Sequence, residues 1–262
     1  MQKNSSTKDF RLSSNERLFL ESNSIFRPKK YQNIKPKGLK IYTFKAGFKK
    51  STRDTLLIIF DKMVNLETVY TKSTTPSAPI IWDKRFVKNK VKALIVNSGN
   101  ANAHTGKEGL KIIENYTKFL SKTINCKQNQ ILVSSTGVIG QIFNPNIINN
   151  QISKLNFKNQ TDLLNAATTI MTTDTYPKIC IKKLTIENKK FKIFGIAKGS
   201  GMINPNLATM LVYIFVEADL SKKLIKKLLN NNLDNSFNSI TVDSDTSTSD
   251  TLAIFSLNQI KV

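Results

Sequence analysis

The chain has 262 residues, is 40% hydrophobic, and carries a formal charge of +22 with a pI near 9.9. It is long enough to bury a sizeable core as one large domain or two small ones. Cys126, Cys180 and the single histidine, His104, have no metal-ligand spacing, which excludes a Cys/His metal site. The charge raises nucleic acid or an acidic membrane surface as a partner. The basic residues, however, are almost all Lys dispersed among Asn and Ile, with Arg only at Arg11, Arg17, Arg27, Arg53 and Arg85. Neither clustered Arg nor basic groups interleaved with aromatics occur, so no nucleic-acid partner is expected. No apolar run approaches a membrane span and no signal peptide is evident, so no membrane partner and a reducing cytoplasm are expected.

In chain order, residues 1–34 are polar and Lys/Asn/Ser-rich and read as a disordered extension. Residues 56–60 read as a buried strand, the stretch 67–81 carries a second, and residues 71–75 between Tyr70 and Pro76 are a turn. Residues 91–96 are a strand by their aliphatic and β-branched content, running into a polar loop at 97–103. Thr105 and Glu108 have capping-box spacing ahead of a helix with Leu110, Ile113 and Leu120 on one face. His104 reads as a loop or first-turn residue. Residues 131–135 are a strand ending in Ser134-Ser135-Thr136-Gly137-Val138-Ile139-Gly140. A Gly directly after a hydroxyl residue lets backbone N–H groups and a Thr hydroxyl converge on one point, as an oxyanion hole requires. An ordinary strand-to-helix turn has the same sequence. Residues 162–171 are helical and lead into a turn at 172–178, and residues 179–186 and 191–197 form a hairpin across Asn188. Residues 211–216 are a strand. A helix capped near Ser221 follows, its buried stripe formed by Leu224, Ile225, Leu228 and Leu229. A calcium loop starting at Asp243 fails, because Thr248 stands where the turn needs Gly and Ile254 where it needs Glu.

The least ordinary stretch is 195–210, GIAKGSGMINPNLATM, between two strand-like runs. Gly199, Gly201 and Pro205 alternate flexible and rigid backbone ahead of one hydroxyl residue. Such a segment presses a backbone carbonyl against a side-chain hydroxyl. Thr209 then attacks the carbonyl of Ala208, and hydrolysis of the resulting ester frees Thr209 as a new N-terminal residue. Its α-amine, with a reference pKa of about 7.7–8.0, serves as the base beside its own hydroxyl. The other reading is a Gly-rich loop between two strands with a buried Thr.

The stretch GIAKGSGMINPNLATML resembles the self-cleavage segment of the glutamate N-acetyltransferase family, the bifunctional ornithine acetyltransferases of arginine biosynthesis. Four further segments match in order, including 97–103, 134–140, 172–178 and 236–251. The family more often has Cys at 104, Gly at 244 and Asn at 249. The resemblance implies an α+β (α/β) fold, a two-layer β-sandwich flanked by helices, left incomplete at the C-terminus because the family continues well past Val262. It also implies an extension at 1–34, an α-chain portion at 35–208 and a truncated β-chain portion at 209–262. Because the second piece is too short to hold such a core alone, cleavage is expected after folding, with the pieces interleaved.

By resemblance, Thr209 is the nucleophile and Ala208–Thr209 the cleavage point. Thr136 and Gly137 fall on the oxyanion hole, and Thr172, Lys198 and Thr209 contact the substrate. The implied reaction moves acetyl from N2-acetyl-L-ornithine to L-glutamate through an acetyl-threonine ester. Acetyl passes through the enzyme itself, so no cofactor and no metal are implied. Acetyl-CoA is an added donor for some family members, and two copies of each cleaved chain form the implied heterotetramer. The alternative is an inactive remnant, or one half of a split enzyme that needs a partner chain.

Overall fold

Strand β2 (Thr55–Tyr70) organises the sheet. In the computed structural model, which describes residues 34–201, 210–243 and 245–261, its aliphatic first half pairs antiparallel with β1 (Leu39–Phe44) on one side and β3 (Lys90–Asn100) on the other. The pairing with β3 slips between Ile59 and Val64, an irregularity of the kind that bends and twists a strand. Beyond it, Asn65 to Tyr70 pair with β8 (Thr251–Lys261) instead of β1. The remaining strands are β4 (Ile131–Val138), β5 (Lys178–Ile186), β6 (Lys189–Lys198) and β7 (Leu211–Asp219), and the order is β4-β3-β2-β8-β7-β6-β5. Pairs β3–β4 and β7–β8 are parallel.

Bent at β2, the one sheet faces itself in two layers. Leu56, Ile58 and Phe60 of β2 share a core with Phe194 of β6, Tyr213 and Phe215 of β7 and Phe255 of β8. The Phe60 ring lies 6.4 Å from that of Phe215 and 5.0 Å from that of Phe255. The alternate residues point outward, as the two-residue period of a strand requires. Leu57, Ala93, Ile95 and Val133 meet α1 (Ala78–Phe86), α2 (Gly106–Thr123) and α3 (Asn146–Ser153). Val216 and Ala218 meet Ile225, and Val212 and Leu252 meet Leu229, of α5 (Lys222–Leu233). Helix α4 (Leu163–Ile170) joins the central core through Leu163, Ala166, Ala167 and Ile170, its small residues letting it approach β1, β2 and β6. The α+β sandwich with flanking helices is therefore the observed architecture.

Several local expectations change. The extension at 1–34 lies outside the described residues except Ile34, which packs against the central core. Residues 67–70 end β2 rather than starting a second strand, and Pro79-Ile80-Ile81 belong to α1. Strand β3 continues through Asn97 to Asn100, and β4 through Thr136 and Gly137 to Val138. Thr105 caps α2 by position but donates its hydroxyl to Asn102 Oδ1 at 2.8 Å. On α2 the buried face runs through Ile112, Ile113, Tyr116 and Leu120, leaving Leu110 partly exposed. Leu224 and Leu228 of α5 are 41% and 44% exposed, because the helix rests on one layer through Ile225 and Leu229 alone. The expected hairpin turn holds, with Glu187 and Asn188 at left-handed φ of 48° and 64° between β5 and β6, and helix α4 starts at Leu163 because Asp162 caps it by accepting from Asn165 N–H.

Asp83 of α1 is buried under β4, where Oδ1 accepts from Val133 N–H at 3.1 Å and Oδ2 has no partner among the described residues. Burial pushes its carboxyl well above the usual range, and the Val133 N–H only partly opposes this. A folded pKa above the unfolded one means that stability is full below the unfolded value, near pH 4, and falls as pH rises toward the folded one. Asp83→Asn keeps the acceptor and cannot ionise. Its unfolding free energy from urea titration is expected to exceed the wild type's by an amount that grows between pH 5 and pH 8, reaching about 1 kcal/mol or more. Parallel pH profiles would contradict this.

Candidate active site

The site forms where the ends of β3, β4 and β6 meet the C-terminus of α4 and the start of β7. Its first wall is the loop before β2. The buried Asp54 carboxylate accepts the backbone N–H groups of Ala46, Gly47, Phe48 and Lys49 at 2.7–3.1 Å, with Gly47 at φ +109°. That nest fixes Lys49, whose Nζ donates to Thr169 O at 3.2 Å and Met171 O at 2.6 Å and so closes the end of α4. Burial lowers the Lys49 ammonium to about 8, with Asp54 and Asp174 holding it up and Lys198 pressing it down. Ser98 of β3 adds a third tie, donating to Thr169 O at 2.5 Å.

Thr172 follows directly. Lys198 at the end of β6 donates from Nζ to Thr172 Oγ1 at 3.3 Å, so the structure brings these two sequence-predicted residues together. Thr172 is exposed, whereas Lys198 is buried. The organiser between them is Asp174, which the sequence reading passed over as part of a turn. Its carboxylate accepts from Thr172 N–H at 3.2 Å, Gly199 N–H at 2.7 Å and Lys178 Nζ at 2.6 Å. Burial would raise its pKa, but these donors together hold it below the usual value. Lys198 goes down through burial, opposed by Asp174 and Asp250.

Thr136 and Gly137 sit at the end of β4, in register with Ser98 and Gly99 of β3. Thr136 is buried, on the face it shares with Leu132 in the central core. Gly137 has φ +129°, and a Cβ there would lie 2.3 Å from the carbonyl carbon of Gly99. Ser135 donates to Asn97 Oδ1 at 2.6 Å, and Asn97 donates to Asn100 O at 2.7 Å, which locks the two strand ends together. Ser98, the register partner of Thr136, is the residue tied to the end of α4. The link from Thr136 to the Thr172–Lys198 pair runs through it.

Ala208 and Thr209 lie outside the described residues. Strands β6 and β7 on either side of that segment are paired, Lys198 opposite Leu211. Met210 N–H donates to Asp250 Oδ1 at 2.8 Å. Asp250 stood in the polar run 236–251 with no role; only its burial at the β7–β8 junction singles it out, and that is a property of the fold. His104 is an exposed residue at φ +56° that lines a surface groove with Thr248 and Ile139. Among the described residues no group of three His, Cys, Asp or Glu gathers as a metal site, and no helix is long and apolar enough to cross a membrane.

A mitochondrial arginine biosynthesis bifunctional protein ArgJ of Dictyostelium discoideum is 42% identical over 252 residues, covering 92% of this chain and 57% of the relative. The ArgJ of Bradyrhizobium diazoefficiens is 40% identical over 221 residues, covering 83% and 54%. This chain thus spans a little more than half the length of the curated relatives it matches. The crystal structure of ArgJ from Bacillus halodurans superposes with a TM-score of 0.61 at 31% identity, covering 67% of this chain and 92% of that one. An ornithine acetyltransferase of Mycobacterium tuberculosis, solved in complex with ornithine, shares the fold with a TM-score of 0.55 at 24% identity, covering 66% and 94%. The sequence profile of the ArgJ family matches residues 40–261, and with these relatives it shows that the chain belongs to the ArgJ family.

Proposed function

We propose that this chain transfers acetyl from N2-acetyl-L-ornithine to L-glutamate in arginine biosynthesis, through an ester on Thr209. The observation that carries the reading is the meeting of Lys198 and Thr172 at 3.3 Å on the end of β6, in a chain of the ArgJ family. Cleavage between Ala208 and Thr209 frees the α-amine that draws the proton from the Thr209 hydroxyl. The hydroxyl oxygen then attacks the acetyl carbon. Thr136 and the Gly137 N–H hold the tetrahedral oxyanion, where losing one donor costs about 3–4 kcal/mol of transition-state stabilisation. Lys198 supplies a compact positive charge to a substrate carboxylate, with Thr172 beside it. Ornithine leaves, glutamate enters, and the ester passes its acetyl on.

The topology supports cleavage after folding. Strands β7 and β8, both beyond Thr209, lie in the sheet between β2 and β6, which precede it. Residues 35–208 and 209–262 therefore stay interleaved, and the resemblance extends this to an assembly of two of each in the cytoplasm.

Incubation with N-acetylornithine alone is expected to leave an acetyl ester on the peptide that begins at Thr209, and added glutamate is expected to discharge it as N-acetylglutamate. Transfer that proceeds at full rate with no such adduct on rapid quenching would count against the covalent route.

A further inference from the structure

Lys49 and Lys198 donate to oxygens of consecutive residues, Met171 O at 2.6 Å and Thr172 Oγ1 at 3.3 Å. Covalent geometry keeps those two oxygens within about 6 Å of each other, so the two ammoniums flank Thr172. Lys198 is buried and Lys49 partly so. A charge withdrawn from water is ordinarily paired with an opposite one. Here the neighbouring carboxylates are engaged by other donors. Asp54 holds four backbone N–H groups and the Thr55 hydroxyl, and Asp174 holds Lys178 with the N–H groups of Thr172 and Gly199. Among the described residues neither Lys49 nor Lys198 forms an ion pair, and residues 202–209 contain no acidic side chain to supply one. Burial lowers the Lys49 ammonium to about 8, with Asp54 and Asp174 raising it and Lys198 lowering it. Lys198 is lowered by burial, with Asp174 and Asp250 raising it and Lys178 lowering it. Two cations gathered on one corner without an anion bound to either suit a ligand that carries two negative charges.

Resting on the function proposed above, we propose that Lys49 is the residue that selects the dicarboxylate acceptor, binding the second carboxylate of glutamate while Lys198 binds the first. An extended five-carbon dicarboxylate holds its carboxyl carbons about 5 Å apart, a span that two ammoniums flanking Thr172 bracket. Lys198 serves the carboxylate that ornithine and glutamate share. Lys49 meets the end at which they differ, a carboxylate in glutamate and an ammonium in ornithine. It therefore draws glutamate to the acetyl ester and opposes the return of ornithine. Its bonds to Thr169 O and Met171 O use two of its three N–H groups and leave the third without an acceptor among the described residues. Below pH about 8 Lys49 is an ammonium. Above it the amine is neutral while both glutamate carboxylates stay ionised, so the preference for glutamate falls as pH rises through that value.

The test compares wild type, Lys49→Gln and Lys49→Arg for kcat/KM with glutamate and with labelled ornithine as alternative acceptors of the acetyl group. Gln keeps an N–H donor for the end of α4. A merely structural role would move both acceptors together, since they share Lys198, Thr172 and the ester. The proposal predicts that the glutamate-to-ornithine ratio falls at least about tenfold in Lys49→Gln, through loss of one charge-assisted contact, and is largely kept in Lys49→Arg. The wild-type ratio is expected to fall above pH 8 and that of Lys49→Arg to stay level. An unchanged ratio in Lys49→Gln overturns the proposal and leaves the Thr209 reading standing. Should Lys49→Gln fail to unfold cooperatively, the two pH profiles decide, and profiles that run parallel overturn it. Calorimetry with glutarate and butyrate needs neither cleavage nor transfer. A wild type that transfers nothing, yet binds glutarate at least about tenfold tighter than butyrate with the gap closed in Lys49→Gln, overturns the transfer reading and leaves the two-cation site standing. No preference for glutarate in the wild type overturns the site.

Discussion

Thr209→Ala is expected to remain a single 29.5 kDa polypeptide, to take up no acetyl from N-acetylornithine, and to lose transfer by at least about four orders of magnitude. The reason is that one hydroxyl is asked to do two jobs. It is the group that breaks the Ala208–Thr209 bond, and it later carries the acetyl; alanine supplies neither the nucleophile nor the free amine. Among the described residues, the charged groups at this corner are the Lys49 and Lys198 ammoniums and the Asp174 and Asp250 carboxyls. Lys198, though its pKa is lowered, sits against Thr172 and under Asp174 and Asp250, charges that favour its ammonium form. Thr209→Ser keeps the hydroxyl and is expected to cleave. Intact mass and an acetylation assay on both variants check this, and an acetylated Thr209→Ala protein would sink the covalent route.

Gly137→Ala is expected to cost about 3–5 kcal/mol of stability and to remove transfer in whatever folded protein remains. A methyl there would lie 2.3 Å from the Gly99 carbonyl carbon and 2.6 Å from the Asn100 nitrogen, both backbone atoms that cannot rotate away. Relief means parting the ends of β3 and β4, the strand ends that carry Ser98 and Thr136. Gly140, at φ +81° with nothing within 4 Å of its would-be Cβ, is the control. Gly140→Ala pays only for the left-handed backbone, about 1–2 kcal/mol. Denaturation midpoints for the pair separate close packing from backbone strain, and equal losses would show that the approach of β4 to β3 is not what demands glycine.

The sequence carried those features that depend on local chemistry. The hairpin across Asn188, the Ser221 cap and the cores of β3, β4 and β7 follow from turn residues, a capping hydroxyl and β-branched runs. It concealed features that depend on the far side of the fold. Asp61 and Lys62 interrupt the apolar pattern of β2, yet the strand continues, because its bend carries those two residues to solvent. The aliphatic Ile80-Ile81 pair looks like a strand and is helix, with Pro79 at its first turn. For the site, the resemblance supplied Thr136, Gly137, Thr172 and Lys198, and the fold explains two of them, since Asp174 and Lys49 gather Thr172 and Lys198 onto the end of β6. Asp174 and Asp250 were in view as letters in polar stretches. What makes them matter is burial beside backbone N–H groups from other strands, Gly199 and Met210, which no spacing along the chain records.

The central claim is that residue 209 becomes a free N-terminal threonine, and the most direct test is the intact mass of the purified chain under denaturing conditions, needing no substrate. The account predicts two polypeptides, residues 1–208 and 209–262, that co-purify under native conditions and separate only on unfolding. A single species at 29.5 kDa from freshly prepared wild-type protein, unchanged on prolonged incubation, would contradict it.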